Sequence, residues 1–401
     1  KKIGDPKKIK VLDPFAGAGN LVFPAVQLGL DVTTSDYNPL AYLIERSVLE
    51  FPAKYGEKLA YDVEKYGNYL INKTKEQLEH FFKSNQLTYL WCWCIQCPHC
   101  EQRIPLTNQM YVAKNSKKQI GIKIIPKNKD FTIELVKNIS EVDGKKFTQK
   151  GGSAICISCK NSINREKMTE SIAKNKDREM ILIQIQKDRT RDYILPTDED
   201  KKQYRDAIKY FESKRKNFEK NDLIPMEEIL ASHRRENTLW HYNIKRWNEF
   251  YDERQMLVLT TILENIRNIC DKIDNKEYRG VIALYLTAIL AKRVDMAGFG
   301  VHWNTPGEKP EHVLALRRPS FVYNFVESNP FEKSRGSLEN ILKNIVKGIS
   351  FATRLENQSN VSLQTVTTND DIKYDLILTD PPYGDDVQYG ELSEFFYVWV
   401  Y

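Results

Sequence analysis

Long hydrophobic runs are what this 401-residue sequence lacks most plainly. Its longest apolar run, VIALYLTAILA at 281–291, is about half the roughly 20 residues a helix needs to cross a bilayer. No basic–apolar–small leader pattern opens the chain, so a cytoplasmic location with no membrane partner is expected. Cysteine is scarce and odd in number, seven in all, which argues against a secreted disulfide framework and for metal binding. Two phosphate-binding signatures are missing as well. There is no G-x-x-x-x-G-K-[ST] loop, and after Gly17 and Gly19 the third position of a dinucleotide fingerprint is Val22. Neither internal repeats nor low-complexity segments occur. Charge of one sign is also lacking: the net balance is only +6. Basic stretches at 114–129 and 214–220 permit a polyanionic partner without requiring one.

What is present begins with alternation. IKVLD (9–13) predicts a strand, PFAGAG (14–19) a glycine loop and NLVFPAVQLG (20–29) a helix. DVTTSD (31–36) predicts a second strand, and NPLAYLIERSVLEF (38–51) a helix capped at Asn38 with Pro39 in its first turn. Strands alternating with helices indicate a doubly wound parallel α/β sheet. The alternation stops near residue 55 and resumes near 336, with a helix at 337–357 and strands at 361–367 and 374–380. The expected organisation is one α/β domain in two pieces, 1–54 and 336–401, interrupted by an insertion over 55–335. That insertion divides into a cysteine-bearing β-rich part (about 91–160) and a helical part (about 165–297).

Three acids mark strand ends. Asp13 opens the loop Asp13-Pro14-Phe15-Ala16-Gly17-Ala18-Gly19. An acid there suits a ligand with a cationic amino group better than a pyrophosphate. Asp36 ends the second strand, where a carboxylate can accept both ribose hydroxyls. Asp370, beyond the next strand, is placed to meet an adenine amino group. Together they describe an adenosine pocket. The strand YDLILTD then ends in Asp380-Pro381-Pro382-Tyr383. An exocyclic amino group on a nucleobase is a poor nucleophile. A carboxylate from Asp380 and a carbonyl from Pro381, stiffened by Pro382, would accept its hydrogens and fix its direction of attack. Tyr383 offers a flat face for an unstacked base.

These two loops resemble the cofactor and catalytic motifs of S-adenosylmethionine-dependent amino methyltransferases of DNA. More narrowly, SDYNPLAYLI, CPHCEQRIPL, ERQMLVLTTILENIR, FVESNPF and TDPPYGDDVQYGELSEFFYVW resemble the zinc-ribbon-containing adenine-specific DNA methylases. The resemblance implies a Rossmann-like methyltransferase sheet and adenine N6 methylation of DNA in a restriction or phage-defence setting. It places the methionine portion of the cofactor on residues 13–19, the ribose on Asp36, the adenine at Tyr37 and Asp370, and the target base at Asp380, Pro381, Pro382 and Tyr383. Other defence-system proteins are then expected partners. Members of that family run on further, so a longer polypeptide or a second chain is expected to complete the sheet. Cytosine N4 methylation, an RNA substrate and a non-catalytic nucleic-acid-binding or assembly subunit are the alternatives.

Cys97-x-x-Cys100 and Cys156-x-x-Cys159 form two knuckles. Four thiolates can surround one structural Zn²⁺ and leave no open position for catalysis. A β-rich excursion over about 105–150 must then bring the knuckles together. Cys92 and Cys94 are expected as small apolar strand residues, Cys270 as core, and His99 as unnecessary to the metal. The aromatic group Trp240, Tyr242, Trp247, Phe250 and Tyr251 is expected in a core.

Overall fold

The computed structural model describes residues 6–116, 118–230, 236–355, 358–368, 372–384 and 389–400. The chain divides into two compact units: Lys1–Lys73 with Ile262–Ala291 and Ile341–Tyr401, and Thr74–Thr261 with Lys292–Asn340. The expected insertion is therefore not one body. Residues 55–73 and 262–291 group with the strands of the glycine loop.

The first unit is built on a four-stranded parallel sheet. Its order is Asn360–Leu363, Asp31–Asp36, Lys10–Asp13, Leu376–Ile377. In chain order these are strands three, two, one and four. Val11 pairs with Val32 on one side and Leu376 on the other. Val11, Val22, Ala25, Val26, Val32, Leu49 and Leu355 form the apolar core against this sheet. Burying each valine or leucine contributes about 1.5–3 kcal/mol relative to exposure. The helix after the glycine loop is shorter than expected, Phe23–Gln27, with Pro24 in its first turn. The next helix starts at Pro39, with the Asn38 side chain accepting the Leu40 N–H at 2.9 Å. It widens into a π turn over Arg46–Glu50 before Phe51–Tyr55. Pro52 supplies the reason: it has no N–H for a helical bond, and its ring crowds the preceding turn.

Packing within this unit explains why 55–73 and 262–291 belong to it. Gly67 lies so close to Leu342 that any side chain there would run into it. The Tyr285 hydroxyl donates to the Ser47 carbonyl at 2.7 Å. Phe23 stacks on Phe351 with ring centroids 5.5 Å apart.

The second unit centres on an antiparallel sheet ordered Thr190–Ile194, Arg178–Lys187, Gln86–Gln96, Val326–Ser328. Gln86–Gln96 is a central strand, buried on both faces from Gln86 to Ile95. Cys92 and Cys94 therefore sit in the core, as expected of small apolar residues, although on a fully rather than half-buried strand. A second antiparallel sheet joins Tyr111–Lys114, Gln119–Lys127 and Asp130–Lys137. The helix Asp198–Lys220 begins with a Thr197/Asp200 capping box. Arg254 and Glu327, each side chain 1% exposed, form a bidentate ion pair at 2.8 and 2.6 Å. The Arg254 guanidinium also lies over the rings of Phe82, Tyr89 and Tyr204. Among the aromatic group expected in a core, Trp247, Phe250 and Tyr251 are buried, whereas Trp240 is 36% exposed. Among the described residues no helix is long and apolar enough to cross a membrane.

Candidate functional site

The glycine loop is held by its own backbone and by two acids. Gly17 and Gly19 have φ of 58° and 76°, left-handed conformations that glycine adopts without steric cost. At Gly19 a Cβ would also press on Leu49 Cδ1 at 3.0 Å. Asp13 Oδ1 accepts the Phe15 N–H at 3.1 Å. Asp36 Oδ2 accepts the Gly17 N–H at 3.0 Å, and its Oδ1 accepts the Asn38 N–H at 2.8 Å. The Ala16 N–H donates to the Ser35 carbonyl at 3.2 Å. The loop is thus tied to the end of the neighbouring strand at two successive residues.

Strand Leu376–Ile377 runs parallel to Lys10–Asp13, with Leu12 opposite Ile377. Thr379 and Asp380 therefore leave the sheet beside Asp13. The Asp13 carboxyl, 1% exposed, sits above the usual carboxylate range. Burial is the main cause, opposed by the Phe15 N–H and the Thr379 hydroxyl and assisted by the charges of Asp36 and Asp380. Three carboxylates thus gather at the carboxyl ends of three neighbouring parallel strands. Pro14 and Phe15 are partly buried and Ala16 is buried, while Tyr37 is 77% exposed. Asp380, Pro381 and Pro382 are exposed, as is Tyr383. The Tyr383 hydroxyl donates to Asp380 Oδ1 at 2.7 Å, so one oxygen of that carboxylate already has a partner. Asn38 Nδ2 donates to Ser393 Oγ at 2.6 Å, joining the second strand end to the helix Tyr389–Val400. Asp370 lies outside the described residues.

One residue here escaped the sequence reading. Glu45 is fully buried, and among the described residues neither of its carboxyl oxygens has a hydrogen-bond partner. Burial pushes its carboxyl up to about 7, with the Asp36 and Asp13 charges adding to the rise. The Thr34 hydroxyl lies near enough to ease that rise, but neither group makes a well-formed hydrogen bond. The signal was present in the helical spacing. Glu45 stands four residues before Leu49, which is itself fully buried, so an acid occupies a core-facing position.

The second unit holds a candidate metal centre. The two knuckles fold alike. Cys97 N–H donates to the Gln102 carbonyl and Glu101 N–H returns to the Cys97 carbonyl, at 2.8 and 2.9 Å. Cys156 N–H donates to the Asn161 carbonyl and Lys160 N–H returns to the Cys156 carbonyl, at 3.0 and 3.2 Å. Glu101 and Lys160, each following the second cysteine, both have φ of 62°. The excursion between knuckles is closed where the Thr148 and Gln149 N–H groups both donate to the Thr107 carbonyl at 2.9 Å. All four Sγ atoms lie within 4.8 Å of one another. Cys97 and Cys159 are 3.7 Å apart, Cys100 and Cys156 3.6 Å. A tetrahedron with metal–sulfur bonds of about 2.3 Å has edges of about 3.8 Å. The four sulfurs fit a structural metal ion such as zinc. His99 is exposed and Cys270 buried, both outside this cluster.

No family model, curated protein or solved structure matches this chain.

Proposed function

We propose that the chain is an S-adenosylmethionine-dependent DNA methyltransferase that modifies the N6 amino group of adenine. The observation that carries this reading is the meeting of Asp13, Asp36 and Asp380 at one end of a parallel sheet, beside a loop whose glycines leave room for a ligand. A strand order of three-two-one-four supports it, since doubly wound sheets bind ligands outside the carboxyl ends of their strands.

Each residue then has a task. Asp13 and the loop at 14–19 receive the cationic methionine end, and the partly buried Asp36 receives the ribose hydroxyls while keeping its grip on the loop. The bound cofactor supplies an electrophilic methyl group. Asp380 and the Pro381 carbonyl accept the two hydrogens of the base's amino group and aim its lone pair. The exposed ring of Tyr383 takes the face of the unstacked base. Proton removal follows methyl attack, with Asp380 as the nearest acceptor. The four-cysteine cluster holds Zn²⁺ as a structural ion, because four thiolates leave no open position.

The test is methyl transfer from labelled cofactor to DNA, followed by nucleoside analysis of the product. Label in N6-methyladenine, lost in Asp380→Ala while cofactor affinity is retained, supports the reading. Label in N4-methylcytosine moves the activity to the other amino base. Undiminished transfer by Asp380→Ala overturns the assignment.

A further inference from the structure

The second unit contains a cavity of about 330 Å³, at the lower end of the range of about 300–1,000 Å³ for small-molecule sites. Its walls are rich in aromatic residues, among them Tyr111, Trp303, Phe321, Tyr323 and Phe325. Neutral amides from Asn108, Gln109, Gln149 and Asn324 complete much of the lining. Among the described residues no aspartate, glutamate, lysine or arginine lines it. That neutrality decides the class of guest. A phosphate, carboxylate or ammonium entering this space would be stripped of water with no side-chain counter-charge to replace it.

Part of the polar lining is already committed. Trp303 Nε1 donates to the Val112 carbonyl at 2.6 Å, Gln109 Nε2 to Thr305 Oγ1 at 3.0 Å, and Asn324 Nδ2 to the Leu106 carbonyl at 2.8 Å. The side-chain amides of Asn108 and Gln149, which each offer donors and an acceptor, remain for a flat guest with donors and acceptors on its edge.

We propose that this cavity binds one neutral nucleobase, taken out of the stack of a nucleic acid. Stacking on aromatic walls and hydrogen bonds to the base edge are how proteins commonly hold an extruded base. The chain supplies cations for the attached backbone as well. Arg317 and Arg318 lie in the short span between Leu316 and Phe321, both lining residues, and Arg317 is exposed. The site belongs to the second unit alone and is separate from the proposed target-base loop at 380–383. It rests on the proposed DNA substrate only for the source of the base.

The experiment titrates the full chain with the four neutral deoxynucleosides, following tryptophan fluorescence and calorimetry. Three proteins are compared: wild type, Leu316→Trp and Asp36→Ala. Leu316 is 47% exposed and lines the cavity, so a larger side chain there fills the space without removing core. Expected is binding of at least one nucleoside with Kd on the order of 0.1 mM, weakened at least tenfold by Leu316→Trp and unchanged by Asp36→Ala. Should Leu316→Trp prove unfolded by circular dichroism, His302→Ala takes its place with the same tenfold criterion. No binding by wild type overturns the proposal. So does binding indifferent to both cavity variants, and so does binding lost in Asp36→Ala alone, which would assign it to the cofactor site. Absence of methyl transfer in the same preparations overturns the enzyme reading and leaves the cavity result standing.

Discussion

Asp36 Oδ2 accepts the Gly17 N–H at 3.0 Å, so the acid at the end of the second strand holds the tip of the loop that follows the first. Its other oxygen holds the Asn38 N–H at 2.8 Å. Under the methyltransferase reading, Asp36 both shapes the loop and receives the ribose. Hydrogen bonds to a charged group contribute about 1.5–3 kcal/mol. Asp36→Ala is therefore expected to weaken S-adenosylmethionine binding by about 10- to 100-fold. Gly17→Ala isolates the loop conformation, because nothing lies within 4 Å of a Cβ there and only the φ of 58° opposes it. That cost is about 1–2 kcal/mol. Calorimetric titration of both variants checks the pair; wild-type affinity in Asp36→Ala would remove the acid from the site.

Glu45 makes stability depend on pH in an unusual direction. Its carboxyl is pushed up to about 7 from the usual 4.5. Below pH 4.5 it is protonated in both folded and unfolded chains. Between 4.5 and 7 the unfolded chain loses this proton while the folded chain keeps it, so stability falls as pH rises, and above 7 the loss is complete. The loss is at most about 3 kcal/mol. Glu45→Gln cannot titrate, so its advantage over wild type should grow from pH 4.5 to pH 7.5. Urea midpoints at the two pH values measure it. A difference between the two proteins that stays constant with pH would remove Glu45 as the cause.

How much of this was legible in the sequence follows from the range of the interactions. The glycine loop, the Asn38 cap and the acids at strand ends are local patterns, and each could be read within ten residues. The cysteine knuckles announced themselves by spacing, and their closure required only that the excursion return, as the Thr107 and Thr148 bonds make it do. The grouping of 55–73 and 262–291 with the first unit was not legible. It depends on Gly67 meeting Leu342 and Tyr285 meeting Ser47, contacts between positions hundreds of residues apart. The same holds for Arg254 and Glu327. Arg254 in ERQMLV and Glu327 in FVESNPF are charges beside apolar runs, and only their pairing makes sense of either. Glu45 stood on a core-facing position from the start, but one acid in a helix attracts no notice until burial is known.

Zinc content tests the four-cysteine centre directly. Elemental analysis of the full chain is expected to return one zinc per chain, falling to none in the double variant Cys97→Ser with Cys156→Ser. Because metal binding is coupled to the fold of such knuckles, a strong chelator should lower the melting temperature of wild type. The double variant should melt low with or without chelator. A metal-free wild type with an unchanged melt would show the cluster to be four packed thiols.

Arg254 and Glu327 are 1% exposed each, so removing one leaves a buried charge without its partner. Arg254→Met should cost about 3–5 kcal/mol, whereas Arg254→Met combined with Glu327→Leu should recover much of that loss. Thermal melts of the single and double variants decide it. If the double variant is no more stable than the single one, the penalty comes from lost packing of the guanidinium over Phe82, Tyr89 and Tyr204.

Under the methyltransferase reading, Tyr383 combines two tasks in one side chain. Its ring is 62% exposed and free to meet a base, while its hydroxyl is spent on Asp380 Oδ1 at 2.7 Å. That bond raises the phenol above its usual range, and under the methyltransferase reading it occupies an oxygen that the target amino group would otherwise use. Tyr383→Phe keeps the ring and releases the carboxylate, so methyl transfer should stay within a few-fold of wild type. Tyr383→Ala removes the ring. Base–aromatic stacking is worth about 1–3 kcal/mol, so kcat/KM should fall by about 5- to 150-fold. Equal and large losses in both variants would place the function of Tyr383 in its hydroxyl and not in its face, with Asp380 needing that donor in place when the base arrives.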